Sequence, residues 1–342
     1  MIKSIQKPKV DIIIPHYNGW QILDGCLASL EMQTYPNVHV SLVDNGTTDG
    51  SMTCAKEKYP WANILTSAEN LGYAGGCNYG FKLTDGKYVV FLNNDTEHEP
   101  DWIEQLVGHA EQHEKIAALQ PKILSIQARN KGERVFDYAG AAGGLIDGLG
   151  YPYAMGRVFG TLEKDMGQYD VPYPIFWASG TAMFARRAAL EQVGLFDDDF
   201  FAHMEEIDLC WRLLLHGYEV YSEPKAIVYH YGGATLKEGS PKKVYLNHRN
   251  NLMMIIKNRA FGRLLWILPM RMFLELVSTL FYYKKYGSEY SWTVLRALLW
   301  NIQNLGNVWR KRVMTQKLRV KSDGEIFNKV ETFTVIKKVI FG

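Results

Sequence analysis

Cysteine is scarce in this chain. The four present among 342 residues, Cys26, Cys54, Cys77 and Cys210, lie far apart with no CxxC pair. That spacing argues against a zinc site or a disulfide framework and for a reducing compartment. The opening residues, MIKSIQKPKVDIII, contain no apolar stretch of signal-peptide length followed by a small-residue cleavage site, so the chain is expected to stay in the cytoplasm. No internal repeat or low-complexity stretch occurs, and 47% hydrophobic content is enough to bury a full core with room for one large domain plus an appendage.

Charge is nearly balanced overall, at +2, but unevenly distributed. Residues 236–342 carry 20 Lys and Arg against 6 Asp and Glu, a net +14 that leaves −12 on residues 1–235. A basic tail on an acidic body suggests attraction to an anionic surface. We therefore divide the chain into a domain at 1–235 and a basic, apolar-rich helical region at 236–342.

Short apolar runs at Val10–Ile14, Val38–Val43, Ile64–Thr66 and Tyr88–Leu92 read as buried strands, and Ile22–Gln33 and Gly75–Thr84 between them have helical spacing. Such alternation predicts an α/β fold with a doubly wound, mainly parallel sheet flanked by helices. Each strand runs into a polar or glycine-bearing turn, and these turns are expected to line one sheet edge, where such folds bind ligands. The fourth turn, NNDTEHEP, is the most informative. Asn93 and Asp95 offer oxygen ligands that suit Mg²⁺ or Mn²⁺ beside a phosphate, although Asn and Asp also favour turns for their own local hydrogen bonds.

Residues 122–174 are rich in Gly, Tyr and Asp with weak periodicity, so irregular structure or short strands that shape substrate access are expected there. A strand through Thr181–Phe184, a helix around Ala188–Val193, a helix over His203–Leu215 and a strand at Ala226–Tyr229 ending in His230 follow. Beyond residue 235, two apolar-rich helices are predicted at Arg263–Tyr283 and Ser291–Arg312. In the first, Arg271, Glu275, Ser278 and Tyr282 share one face, which favours an amphipathic over a membrane-spanning helix. In the second, Trp292, Leu295, Leu299, Ile302, Leu305 and Trp309 form a stripe opposite Arg296, Gln303, Asn307 and Lys311. Stripes of this kind either pack on the body or lie in an anionic membrane interface. Nucleic acid is not expected as a partner, because the basic residues interleave with aliphatic faces rather than with stacking aromatics.

VDIIIPHYNGW, SLVDNGTTDGS, NLGYAGGCNYG, FLNNDTEHEPDW, FFAHMEEIDLCWRLLLHGYEV and VYHYGGAT follow one another along the chain. In this order they resemble the inverting family 2 glycosyltransferases of the GT-A fold, especially the rhamnosyltransferase-like branch, over about residues 8–260. The resemblance implies a metal-dependent hexosyltransferase that takes a nucleotide-diphosphate sugar, plausibly dTDP-rhamnose, and a lipid-linked or polysaccharide acceptor in cell-surface glycan synthesis. It assigns Pro15, Tyr17, Asn18 and Asp44 to the nucleoside and Asn70, Gly72, Gly75 and Gly76 to a turn that lets the donor approach a helix N-terminus. Asn93, Asn94 and Arg249 join this donor set, with Arg249 and Asn250 reaching the diphosphate. Asp95 matches the last acid of the family's Asp-x-Asp, with Asn93 replacing the first, and His230 is the further candidate ligand for Mn²⁺ or Mg²⁺. Glu206 stands at the catalytic base, commonly Asp, while Asp208 pairs with Arg212 four residues on. Trp177, Ser179, Gly180 and Glu205 form the donor-sugar and acceptor wall. Two other readings stay open: a sugar nucleotidyltransferase, and a catalytically silent carbohydrate- or nucleotide-binding module at a membrane.

Overall fold

The computed structural model describes residues 7–158, 161–232, 239–328, 330 and 332–335. Strand and helix alternate as expected through β1 Val10–His16, α1 Trp20–Glu31, β2 Val38–Asn45, α2 Ser51–Lys58, β3 Asn63–Ser67, α3 Gly72–Lys82 and β4 Tyr88–Leu92, and β5 Thr96–His98, α4 Trp102–Gln112 and β6 Ile116–Ser125, which the sequence reading did not give, follow. A short helix α5 Ile126–Arg129 and two small hairpins, β7 Gly143–Ile146 with β8 Pro152–Met155 and β9 Arg157–Val158 with β10 Thr161–Leu162, occupy the stretch of weak periodicity. Then come β11 Ala182–Arg186, α6 Arg187–Val193, α7 Glu205–Leu215 and β12 Glu219–His230.

Eight strands form one sheet in the order β3-β2-β1-β4-β11-β6-β12-β5, with β11 and β5 antiparallel to their neighbours. Successive residues of β1 point to opposite faces: Ile13 joins a core with α3 and α7, Ile12 and Ile14 a second core with α1 and α4. Both faces are therefore covered, which is why these strands read as continuous apolar runs rather than as alternation.

One connection fixes the shape of the sheet. Asn93, Asn94 and Asp95 alone join β4 to β5, yet three strands separate those two in the sheet order. A flat sheet would put them roughly 19 Å apart at about 4.8 Å per strand. The four Cα steps from Leu92 to Thr96 reach only about 14 Å. The sheet must curl, and the three residues sit in the concavity that results.

Among the described residues the C-terminal region holds five helices where the sequence reading gave two. α8 Pro241–Asn258 precedes α9 Phe261–Tyr286, and the single helix expected over 291–312 is divided at Asn304 into α10 Ser288–Gln303 and α11 Leu305–Lys317, with a last turn α12 Asp323–Ile326. The start of α8 carries ordinary signals, since Ser240 caps it by accepting from Lys243 N and Pro241 occupies the first turn. The boundary drawn at residue 235 and Gly233 of the glycine turn lie outside the described residues.

Part of the basic excess of this region meets acids of the body. Lys257 Nζ lies 2.6 Å from Asp197 and 3.0 Å from Asp208, and Lys311 pairs with Asp197 and Asp199. Asp208, fully buried, also takes Arg212 Nε at 3.0 Å and Asn258 Nδ2 at 2.8 Å. Removing one partner of such a buried cluster typically costs about 3–5 kcal/mol.

In α9 the polar face points inward. Arg271 and Glu275 are buried, while Phe273, Leu276, Val277, Leu280 and Phe281 are exposed. Trp292, Leu299 and Ile302 of α10 and Leu305 and Trp309 of α11 are exposed as well. Among the described residues α9 is the one helix long and apolar enough to cross a bilayer, by length and composition alone.

Candidate active site

A cavity of about 670 Å³ opens in the concavity of the sheet. Asn93 and Asp95 enter from the β4–β5 connection, His230 from the end of β12, Trp177, Ser179 and Gly180 from the approach to β11, and Glu205 and Glu206 from the first turn of α7. These eight predicted site residues come from four separate stretches of sequence.

Asp95 is held beside His230 by the last rung of the sheet, where Thr96 pairs with His230 and Tyr231 N donates to Asp95 O at 3.0 Å. His230 Nε2 lies 3.2 Å from Asp95 Oδ1, and Nδ1 donates to Asp137 Oδ1 at 2.8 Å. Burial alone would push the imidazole down, but Asp95 and Asp137 on its two sides hold it up at about 10. Asp95 Oδ1 is buried and has no partner at hydrogen-bonding geometry. Among the described residues no group of three His, Cys, Asp or Glu side chains converges on one point. Asp137, on the far side of the ring, orients His230 instead. Asp95 Oδ1 and the neutral oxygen of Asn93 could hold a hard divalent ion, which His230 Nε2 joins only when the ion displaces its proton. This set fits an ion whose remaining positions are filled by diphosphate oxygens and water.

Two adjacent glutamates line the same cavity. Oε2 of Glu205 and Oε2 of Glu206 are both buried without a hydrogen-bond partner. Burial pushes the Glu206 carboxyl up to about 7, against backbone N–H groups at the start of α7 that pull it down. Burial and the neighbouring Glu206 drive Glu205 well above the usual carboxylate range. A carboxylate near neutrality suits a general base. Asp208, by contrast, is locked to Arg212 and Lys257, the structural role expected of it.

The backbone leading into α7 is strained. Phe201, His203 and Met204 have φ of +62°, +69° and +72°, a region costing roughly 1–3 kcal/mol for a non-glycine residue. Side chains from α8 hold it there. Asn250 Nδ2 donates to the carbonyls of Phe200, Ala202 and His203 at 3.0, 2.9 and 2.7 Å. Arg249 donates to those of Asp199 and Phe200 at 2.6 and 3.0 Å, with its guanidinium 4.8 Å from the Trp300 ring centroid. Arg249 is therefore not brought to the cavity, and its expected contact with a diphosphate gives way to this clamp.

The residues assigned to the nucleoside gather beyond the ends of β1–β3, on the same sheet edge but outside the cavity wall. Tyr17 is 46% exposed, Asn18 bonds Thr48, and Asp44 Oδ1 caps the turn by accepting from Thr47 N at 2.9 Å. Asn94 Nδ2 donates to His16 Nδ1 at 2.6 Å, an acceptor because burial lowers His16 to about 4. The glycines of α3 act differently from what was expected. A Cβ on Gly72, whose φ is +70°, would lie 2.7 Å from Phe201 O; on Gly75, 2.8 Å from Leu71 Cβ; on Gly76, 2.9 Å from Cβ of Pro15. They permit close packing of the chain on itself. The helix N-terminus is already satisfied, since Leu71, Gly72 and Tyr73 N–H donate to Asn45, Asn70 and Phe201.

In the sugar wall, Trp177 lines the cavity while its Nε1 donates to Leu145 O at 2.8 Å, and Ser179 Oγ donates to Ala139 O at 3.0 Å. Gly180 O accepts from the Tyr73 hydroxyl. Sequence reasoning missed Asp137, Tyr138 and Tyr151 of the hairpin region, and Lys243, Asn247, His248 and Asn251 of α8. It placed Arg271 and Glu275 on one polar face of α9 without saying what that face meets; both line the cavity. The available signal was a lone Arg–Glu pair four residues apart inside an apolar helix.

The family model described as Glycosyl transferase family 2 matches residues 11–194, more than half of the chain. An N-acetylglucosaminyl-diphospho-decaprenol L-rhamnosyltransferase of Mycobacterium tuberculosis is 29% identical over 277 residues, covering 76% of this chain and 87% of that protein. The O-antigen biosynthesis protein RfbC of Myxococcus xanthus is 27% identical over 232 residues, 67% of this chain and 18% of its own length. Among solved structures, S. aureus TarS 1–349 in complex with UDP superposes with a TM-score of 0.55 at 16% identity over 90% of each chain. Mannosyltransferase PcManGT from Pyrobaculum calidifontis, in complex with GDP-Man and Mn²⁺, gives 0.52 at 15% identity over 95% of this chain and 89% of its own. At these identities the likeness establishes a shared GT-A-type fold.

Proposed function

Since the chain belongs to glycosyl transferase family 2 and is a glycosyltransferase, we propose that it moves rhamnose, from dTDP-rhamnose, onto the saccharide of a lipid-linked acceptor with inversion at the anomeric carbon. The mycobacterial relative, named for rhamnosyl transfer to N-acetylglucosaminyl-diphospho-decaprenol, supports both the sugar and the acceptor class. The RfbC likeness supports a role in cell-surface glycan synthesis.

One observation carries the reading: the Asp95 carboxylate, 3.2 Å from His230 Nε2, and a buried Glu206 oxygen without a hydrogen-bond partner line one cavity. Glu206 takes the proton of the acceptor hydroxyl as its oxygen bonds to the anomeric carbon. The bond from that carbon to the phosphate oxygen breaks on the other side, and its electron pair leaves with the nucleoside diphosphate. Asp95, His230 and Asn93 would hold Mn²⁺ or Mg²⁺, which when bound supplies positive charge to the departing diphosphate. Trp177 and Ser179 wall the sugar, and the residues beyond β1 and β2, including Tyr17 and Asp44, receive the nucleoside. The outward apolar face of α9–α11 and the remaining basic charge support a seat on the cytoplasmic surface of an anionic membrane.

Glu206→Gln tests the assignment. Transfer should fall by at least about 100-fold while dTDP binding persists; turnover like that of the unmodified protein would remove Glu206 as the base. Hydrolytic release of dTDP from dTDP-rhamnose by the unmodified protein gives a direct check of the donor, against a panel of other nucleotide sugars.

A further inference from the structure

Besides Asp95, His230, Glu205 and Glu206, the cavity is lined by Lys243 and His248 of α8 and by Arg271 and Glu275 of α9. These four have no part in the reading of donor, metal or base given above.

Arg271 is 1% exposed, with its guanidinium 3.6 Å from the Tyr151 ring centroid. Its Nη2 donates to Glu275 Oε1 at 2.8 Å and its Nη1 to Leu149 O at 3.1 Å, but Nε has no partner. The other oxygen of Glu275 takes His248 Nδ1. A single carboxylate thus serves both Arg271 and His248, and Lys243, with its Nζ 5.6 Å from the Tyr138 ring centroid, lines the same cavity. A buried guanidinium N–H without an acceptor is costly, and an anion that supplies the acceptor recovers that cost. Arg is also suited to phosphate oxygens by its planar fork of donors.

The turn of α9 that presents Arg271 and Glu275 inward presents Phe273, Leu276 and Val277 outward. One helix thus separates a basic pocket from an exposed apolar face. A lipid joined to a saccharide through a diphosphate has the matching sequence of parts: apolar chain, anionic link, sugar.

We propose that Arg271, His248 and Lys243 form a seat for the diphosphate link of a lipid-linked acceptor, with the saccharide directed along the cavity to Glu206 and the lipid leaving over α9. This inference rests on the acceptor class proposed above. The donor's diphosphate is assigned to Asp95, Asn93 and His230, a different set of lining residues.

Binding of geranyl diphosphate and of geraniol to the full-length protein, measured by calorimetry in EDTA without nucleotide sugar, tests the seat. The chelator removes any metal-bridged binding at Asp95. Geranyl diphosphate should bind at least 10-fold more tightly than geraniol, and Lys243→Gln, His248→Gln and Arg271→Lys should each reduce that preference severalfold or more. Binding of dTDP in Mn²⁺ should change by less than twofold in the same variants. Equal binding of diphosphate and alcohol, or a parallel loss of dTDP and geranyl diphosphate, overturns the proposal. Because Arg271 is buried, a variant that fails to give a cooperative melt is set aside, and the two rim variants decide. No sugar moves in this measurement, so its failure leaves the transferase reading intact. Selective diphosphate binding by a protein that glycosylates only lipid-free saccharides would strike the acceptor class instead.

Discussion

Asn250 Nδ2 donates to His203 O at 2.7 Å, two residues before α7 begins with Glu205 and Glu206. The same amide group takes the carbonyls of Phe200 and Ala202. A helix of the basic C-terminal region therefore sets the backbone from which Glu206 projects, and the left-handed residues at 201, 203 and 204 persist because this clamp over-determines them.

Asn250→Ala should lower kcat by about 10–100-fold and stability by about 1–3 kcal/mol, the cost of leaving buried carbonyls without donors. The donor KM should move little, since the β4–β5 connection is untouched. Steady-state kinetics with a denaturant melt separates the two effects. A kcat unchanged in a folded Asn250→Ala protein would show that the clamp does not position the base.

The pH profile should carry the signature of Glu206. With its carboxyl pushed up to about 7, kcat/KM should rise through that pH as the proton leaves, and the limb should disappear in Glu206→Gln. Because Glu205 adjoins it, the apparent value belongs to the pair. The sign for stability is opposite. A carboxyl held above its unfolded value of 4.5 stabilises the fold fully below that value, and the contribution is lost as pH rises through about 7. Melting temperature across pH 5–8 in the unmodified protein and in Glu206→Gln checks this.

Removal of divalent metal by EDTA should weaken dTDP binding, with recovery on titration of Mn²⁺. Asp95→Ala should abolish the recovery, and His230→Gln should shift the Mn²⁺ midpoint upward by about 10-fold or more, in line with the loss of one ligand or of its orienting neighbour. An Mn²⁺ titration of Asp95→Ala that matches the unmodified protein would reject the cation site.

Vesicle binding should contain an apolar part and an electrostatic part. Replacing Phe273, Leu276 and Leu280 by Ser should reduce sedimentation with anionic vesicles about 10-fold or more at fixed salt, because these side chains are exposed. High salt should reduce binding further. Equal binding to neutral vesicles in high salt would reject the electrostatic part.

Much of the site was legible because strand ends are local features. Tyr88–Leu92 was read with the boundaries it has, and a run of buried apolar residues followed by Asn-Asn-Asp announces a polar group at a sheet edge whatever the topology. Glu206 was reached through its place in an ordered set of motifs. Arg249 was misread because an arginine near a phosphate-binding family motif gives no sign, in one dimension, of whether a carbonyl or a ligand will meet it. β5 escaped notice because three residues do not show a period. The α3 glycines gave a ligand-binding pattern that also serves close helix packing, and only the distances to Phe201, Leu71 and Pro15 separate the two.

The amino-acid sequence by itself determined the alternation of strand and helix, the polar composition of the strand tips and the acidic pair at the start of α7, since each depends on neighbours within a few residues. Tertiary structure alone decided that β5 closes the concavity around Asp95, that Arg249 and Asn250 clamp the base-bearing loop, and that the polar face of α9 turns toward the cavity. The period of a helix fixes which residues share a face. Which face is covered depends on what the rest of the chain brings against it, and in α9 that partner is a buried wall of charge and hydrogen-bonding groups, leaving the apolar side outermost.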